Sequence, residues 1–187
     1  MLKVSVTADL SQLKRAFSHL SGKGTRAATS RALNKAGVNM RTDAIRVVRE
    51  KRALKAKTIR DAFTIIKASA ARLIVDLIAR GRPIPLREYG ATQTQRGVTV
   101  RVTKGAKRAV VVHQGNRAFA VQKYGDHVYA REGKARLPIK KLYGPSIPTA
   151  LTNEAAQQAI LRKGQTSFLA RLKEELRFES RKAGFRA

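Results

Sequence analysis

Leu2, Val4 and Val6 alternate with polar neighbours in LKVSVT (2–7), the two-residue period of a strand with one buried face. Asp9 is placed to cap a short helix whose Leu10, Leu13, Phe17 and Leu20 fall on one side, with GKG (22–24) as its stop. From Thr25 to Glu50 the period lengthens to that of a helix of roughly seven turns. On a helical projection Leu33, Ala36, Met40, Ala44 and Val47 fall within an arc of about 80°, while Arg31, Lys35, Thr42, Arg46 and Arg49 fall within about 60° on the opposite side. One face packs and the other presents cations.

KRALKAKT (51–58) is a basic connection leading to a helical turn or two near Thr58 to Phe63. The period then shifts toward two. TIIKAS, ARLIVDLIAR, ATQTQRGVTVRV, RAVVVH and AFAVQ are short, β-branched and punctuated by Gly and Pro, which predicts antiparallel strands. In GVTVRV, Val98, Val100 and Val102 share one face and Thr99 and Arg101 the other, the pattern of a sheet with one wet side. EGK (132–134) reads as a turn. After Pro148 the helical period returns, with Leu161, Phe168, Leu169, Leu172 and Leu176 as its stripe and Gly164 placed to interrupt it; RKAGFRA at the end reads as frayed. The predicted fold is α+β, a long N-terminal helix and a C-terminal helix packed around an antiparallel β-sheet. The expected organisation is one domain over 1–187, mainly helical after a short strand in 1–62, β-rich in 63–148, and helical with a frayed tail in 149–187.

Charge changes this picture most. Forty Lys and Arg stand against 12 Asp and Glu, a formal net charge of +28. Such an excess repels itself in a compact chain and concentrates anions, so an anionic partner is expected. A basic helix face taken alone is usually just solvated. With this excess, Arg31, Lys35, Arg46 and Arg49 become candidates for DNA or polyanion contact. The absence of Cys removes disulfides, thiolate chemistry and Cys-ligated zinc. The most apolar run, ARLIVDLIARG (71–81), is short and broken by Asp76, and no N-terminal stretch has the build of a signal peptide, so no membrane association is expected.

Catalytic patterns are weak. GPSIP (144–148) has a Ser after Gly-Pro but lacks the second Gly of a nucleophile elbow. SGKGT (21–25) fails the phosphate-loop order because Gly24 separates Lys23 from Thr25. His19, His113 and His127 show no metal-ligand spacing, and the scattered carboxylates nominate no two-metal nuclease site. Zinc-finger, Gly-aromatic RNA-binding and recognition-helix patterns are absent too, and with six Phe, four Tyr and no Trp the chain has little for base stacking. Contact with phosphate backbones, without base reading, is what the composition allows. No enzyme and no cofactor are expected.

RLPIKKLYGPSIP (136–148) stands apart. Pro138, Pro145 and Pro148 fix φ and withhold donors, so the segment is a shaped loop, open to reading as a catalytic loop, a structural corner or a docking surface. Leu137, Ile139 and Leu142 suit a corner that closes the core. Taken with RPIPL (82–86), GVTVRV (97–102), Ala-Phe-Ala (118–120) and VYAREGKARLPIKKLYGPSIP (128–148), the run resembles the prophage minor tail protein Z family, the tail-completion proteins of long-tailed bacteriophages. RALNKAG (31–37) is similar to that family's N-terminal helix.

The resemblance implies a structural virion protein at the head-proximal end of the tail, made in the host cytoplasm and acting without catalysis. It implies docking to other tail or neck proteins such as the tail terminator, a homo-oligomeric ring, and contact with the DNA path. Its signature positions are Arg136, Leu137, Pro138, Ile139, Lys140, Lys141, Leu142, Tyr143, Gly144, Pro145, Ser146 and Pro148. In that setting the prolines hold the segment extended before binding, which lowers the entropic cost of ordering it on assembly, and Tyr143 is the amphipathic anchor. The alternative is a sequence-independent nucleic-acid-binding protein, for packaging or at the ribosome.

Overall fold

The computed structural model describes residues 2–7 and 22–184. The fold is α+β, with antiparallel sheets, a long N-terminal helix and a C-terminal helix. The chain divides into two compact units, one comprising Met1–Ala44, Phe63–Ala79 and Thr152–Ala187, the other Ile45–Ala62 and Arg80–Leu151. The short helix predicted after Asp9 lies outside the described residues, as do His19 and the last three residues.

In the first unit, β1 (Leu2–Thr7) and β2 (Phe63–Ile66) flank β3 (Ile74–Ala79), both antiparallel to it. Helix α1 (Gly22–Lys51) contributes its residues up to Ala44, and α3 (Glu154–Lys182) starts at Asn153, whose side chain accepts from the Ala155 N–H at 2.9 Å. Leu33, Ala36, Met40 and Ala44 are buried as their spacing predicts, together with Ala28 and Ala32. The alanines and Gly37 in this column let neighbours approach closely. Gly37 has Val75 against it, and a side chain there would meet that valine. Asn34 makes a reciprocal pair with Ala68, its amide nitrogen donating to the carbonyl and its oxygen accepting from the N–H, which ties α1 to the β2–β3 connection.

Two glycine positions bear on how the helices are read. Gly22 and Gly24 fall in the first turn of α1, where their propensity cost, about 1 kcal/mol each, is small beside the packing of the turns that follow; the helix that GKG was read as ending lies outside the described residues. Gly164 does not interrupt α3. It is buried, and a Cβ at this position would stand 2.6 Å from Met40 Cγ and Sδ, so the hydrogen side chain is what fits. Gly164→Val is therefore expected to lower stability by about 1–3 kcal/mol through overpacking, read as a lower urea midpoint at unchanged m-value. Along α3, Phe168, Leu172 and Leu176 are buried as predicted, whereas Leu169 is exposed.

The second unit holds the last turns of α1, the short α2 (Ala56–Asp61) and the other strands. β5 (Thr92–Thr94), β6 (Gly97–Val100) and β7 (Ala109–Val110) form one meander, with Val98 and Val100 buried and Thr99 half-buried. The stretch read as ATQTQRGVTVRV is thus a hairpin turning at Gln95 and Arg96, with Thr94 opposite Gly97. β8 (Val112–His113) pairs with β9 (Asn116–Arg117), and β10 (Phe119–Val121), β11 (His127–Arg131) and β12 (Ile139–Lys141) form a second meander. β13 (Tyr143–Gly144) pairs with β4 (Ile84–Pro85). Backbone bonds from Val98 N to Ala118 O, Val111 N to Val98 O and Ala118 N to Val111 O knit the strands together.

Candidate functional site

The proline-bearing segment is a ribbon that changes partners. β12 runs antiparallel to β11, with Lys141 opposite Tyr129 and Ile139 opposite Arg131. One residue later the Leu142 N–H donates to the Val128 carbonyl at 2.8 Å, while the Leu142 carbonyl accepts from the Leu86 N–H at 3.2 Å. That single residue hands the chain from the β11 edge to β4, where Tyr143 stands opposite Pro85 and Gly144 opposite Ile84. The expectation of one continuous extended strip is corrected to two short strands in different sheets, followed by a 3₁₀ turn that Pro148 opens. Pro138 instead lies in the exposed bend before β12, its carbonyl accepting from the Glu132 N–H at 3.2 Å.

Burial separates the two competing roles of this ribbon residue by residue. Leu142 is 9% exposed and Ile147 1%, so these two close the core. Gly144 is held against the ring of Tyr89; a Cβ there would stand 2.5 Å from Cε2. Tyr89 itself is 2% exposed, and its hydroxyl donates to the Pro145 carbonyl at 2.6 Å. Burial pushes the Tyr89 hydroxyl above its ordinary pKa, with Arg52 acting against that rise, so it stays a donor through the physiological range. The Ser146 carbonyl accepts from the Thr149 hydroxyl at 2.6 Å, a turn contact.

The other half faces solvent. Leu137 is 67% exposed and Tyr143 52%, with Arg136, Pro138 and Lys140 also exposed. Lys141 Nζ lies 5.7 Å from the Tyr143 ring centroid, a cation–π contact that holds the phenol beside a positive charge. Lys140 approaches Glu132 at 3.9 Å, a weak exposed pair. The ribbon thus has an anchored set, Leu142, Gly144 and Ile147, and an exposed set that is cationic, aromatic and apolar.

RPIPL, Ala-Phe-Ala, VYAR and the ribbon, read separately along the sequence, meet in this unit: β4 pairs with β13, β10 with β11, and β11 with β12. Tyr89, the buttress beneath them, had no sequence signal beyond being an aromatic before a glycine.

The helix face is less uniform than its spacing implied. Arg31, in the first unit, donates from Nε to Glu175 and from a terminal nitrogen to Glu179, both at 2.6 Å, and these hydrogen bonds raise its pKa. It clamps α1 to α3. Reversing its charge would set three carboxylates together, so among the four candidate cations Arg31 holds a structural place in the fold. Lys35 in the first unit and Arg46 and Arg49 in the second are exposed.

Among the described residues, Arg87 and Arg108 are held by neutral acceptors. Arg108 donates to the Gly90 and Thr99 carbonyls and to the Thr92 and Thr99 hydroxyls, and Arg87 donates to the Gly125 carbonyl. Neutral acceptors fix these guanidinium groups without cancelling them. Among the described residues, no group of three or more His, Asp or Glu gathers in a way that could hold a metal ion, and no helix is long and apolar enough to cross a membrane. Comparison of the chain with protein-family models, with curated proteins and with solved structures finds no match.

Proposed function

We propose that this protein is a structural virion subunit that completes the head-proximal end of a long-tailed phage tail. It docks to tail or neck proteins through the exposed edge of the ribbon and assembles as a homo-oligomeric ring around the DNA path. The observation that carries the reading is the division of the ribbon: Leu142, Gly144 and Ile147 anchor it from below, so Leu137, Lys140 and Tyr143 are presented in a fixed conformation. Pre-fixed contact groups give up less entropy on assembly than a mobile loop, and an aromatic flanked by cations is a common centre of binding energy. The resemblance of residues 82–148 to the tail-completion family supports the same reading.

Its test is location. Electron microscopy of tails carrying a tagged copy is expected to show the tag at the upper end; a tag elsewhere, or none in the particle, removes the assignment. The second reading, a sequence-independent nucleic-acid binder, is favoured by the neutral acceptors that hold Arg87 and Arg108 in a chain with net +28. A pure phosphate-neutralising protein loses about 10³–10⁵ in affinity between roughly 50 and 200 mM salt. A docking subunit keeps its protein partner under the same change, because buried apolar contacts are little screened.

A further inference from the structure

Within the second unit, two sequence-distant basic segments are stitched together. REKRALKAK (49–57) runs from the last turn of α1 into the start of α2, and RVTKGAKR (101–108) follows β6. The Ala53 N–H donates to the Val102 carbonyl at 3.0 Å and the Lys104 N–H to the Lys51 carbonyl at 3.2 Å, with Arg52 bridged to Thr103 between them. This pairing brings the two segments side by side, and Arg49, Lys55, Lys57, Arg101, Lys104 and Lys107 are each exposed along them, with Glu50 as the one acid within the two segments. Lys51 Nζ is bonded to the Ala150 carbonyl and Arg52 to the Thr149 hydroxyl, neutral partners that leave both charges in place. Of the unit's other carboxylates, Glu88 accepts from Thr58, Glu132 sits by Lys140, Asp126 lies in the Gly125 turn, and Asp61, exposed at the end of α2 four residues after Lys57, is the acid nearest in sequence to the basic run.

A helix C-terminus attracts cations, but its partial charge is only about half an electron, far less than this surface gathers. Like charges set side by side lower stability until an anion arrives. We infer that this junction, formed by residues 49–57 and 101–108, is a contact surface for the phosphate backbone of duplex nucleic acid. An acidic protein partner fits less well, since the exposed large apolar residues Leu137, Tyr143, Val110 and Val112 lie outside both segments, and protein interfaces draw their energy from such anchors. No aromatic side chain stands in either segment, so single strands have nothing to stack on and base sequence is not read. The surface gives residues to the DNA contact named under the tail reading, yet its argument is the charge pairing alone.

The test uses the full chain, a short mixed-sequence DNA duplex and fluorescence anisotropy across a salt series. Changing Lys55, Lys57, Arg101 and Lys104 together to Gln is expected to weaken binding at least tenfold at low salt. It should also make the slope of log K against log salt shallower by about three to four, near one for each phosphate no longer neutralised. The charge-matched control replaces Arg162, Lys173, Arg177 and Arg181 on α3, which are exposed on the first unit, with Gln. Its affinity should change little. Circular dichroism checks that both variants fold, and Lys55→Gln with Lys57→Gln alone serves if the fourfold variant does not. An unchanged slope, an equal weakening in the control, or displacement of the duplex by polyglutamate at matched charge would each overturn the inference. Failure here leaves a tag at the tail's upper end undisturbed, and the reverse also holds.

Discussion

Replacing Lys3 and Arg72 together with Met is expected to destabilise the protein by about 3–5 kcal/mol and to invert its stability profile in acid. Asp76 sits on the central strand β3, opposite Ser5 in β1, with its side chain 1% exposed. Arg72 reaches it at 2.6 Å, the Ser5 hydroxyl at 2.7 Å and Lys3 at 3.3 Å. Burial by itself drives this carboxyl's pKa up; hydrogen bonds from Ser5, Arg72 and Lys3, with the Lys3 charge, outweigh burial and hold it below the ordinary value. A folded-state pKa that is lowered contributes stability that is complete above the unfolded value of about 4 and fades as pH falls through the folded one. With both cations gone, Ser5 alone faces the carboxylate, burial dominates, and the folded-state pKa lies above the unfolded one. The contribution is then present at low pH and lost as pH rises through that raised value. Urea midpoints measured across pH 3–7 should therefore rise with pH in the wild type and fall in the double variant through the carboxylate range, near pH 4 and above. Parallel profiles would mean that water, not Lys3 and Arg72, solvates Asp76. Each single substitution should cost far less, because both cations are about half exposed and the other remains in place.

Leu142→Ala and Tyr143→Ala, neighbours in sequence, are expected to fail in opposite ways. Leu142 is in the core and also carries the backbone bonds that move the ribbon between sheets, so its truncation should cost about 2–5 kcal/mol, with the upper part of that range reached if the void cannot collapse. Tyr143 is half exposed and touches Lys141 from outside, so its truncation should change stability by about 1 kcal/mol at most. If the exposed edge is the docking surface, Tyr143→Ala should abolish tail joining in a complementation assay while leaving the urea midpoint near wild type. Normal joining by that variant would assign the ribbon to structure alone.

The class of fold was legible because hydrophobic period is local: the long helix, the return to helix after Pro148 and the valine alternation in β6 all follow from spacing. Pairing was not. β1 joins β3 across some seventy residues, and nothing in LKVSVT names its partner. Asp76 reads in sequence as a break in an apolar run, yet the structure buries it, since its three partners come from β1 and from four residues upstream. Gly164 carries the same lesson in reverse. Its propensity argues for a break, and the Met40 side chain that requires it lies on another helix. For the ribbon, the prolines marked a shaped segment, but whether it packs or protrudes is decided residue by residue, Leu142 inward and Tyr143 outward. Its angle groups Arg31 with the cationic face read as a polyanion contact; its glutamate partners on α3 stand too far along the chain for any window to show.

The hand-over at Leu142 has a consequence for how this segment can vary. Side chains on a strand alternate sides, so inserting or deleting one residue between Ile139 and Gly144 would turn Leu142 out and Tyr143 in, and would lift Gly144 off Tyr89. The spacing of the ribbon is therefore fixed even though the identity of its outward residues is free. A changed partner could be met by swapping those residues one at a time, without altering the number of links in the chain.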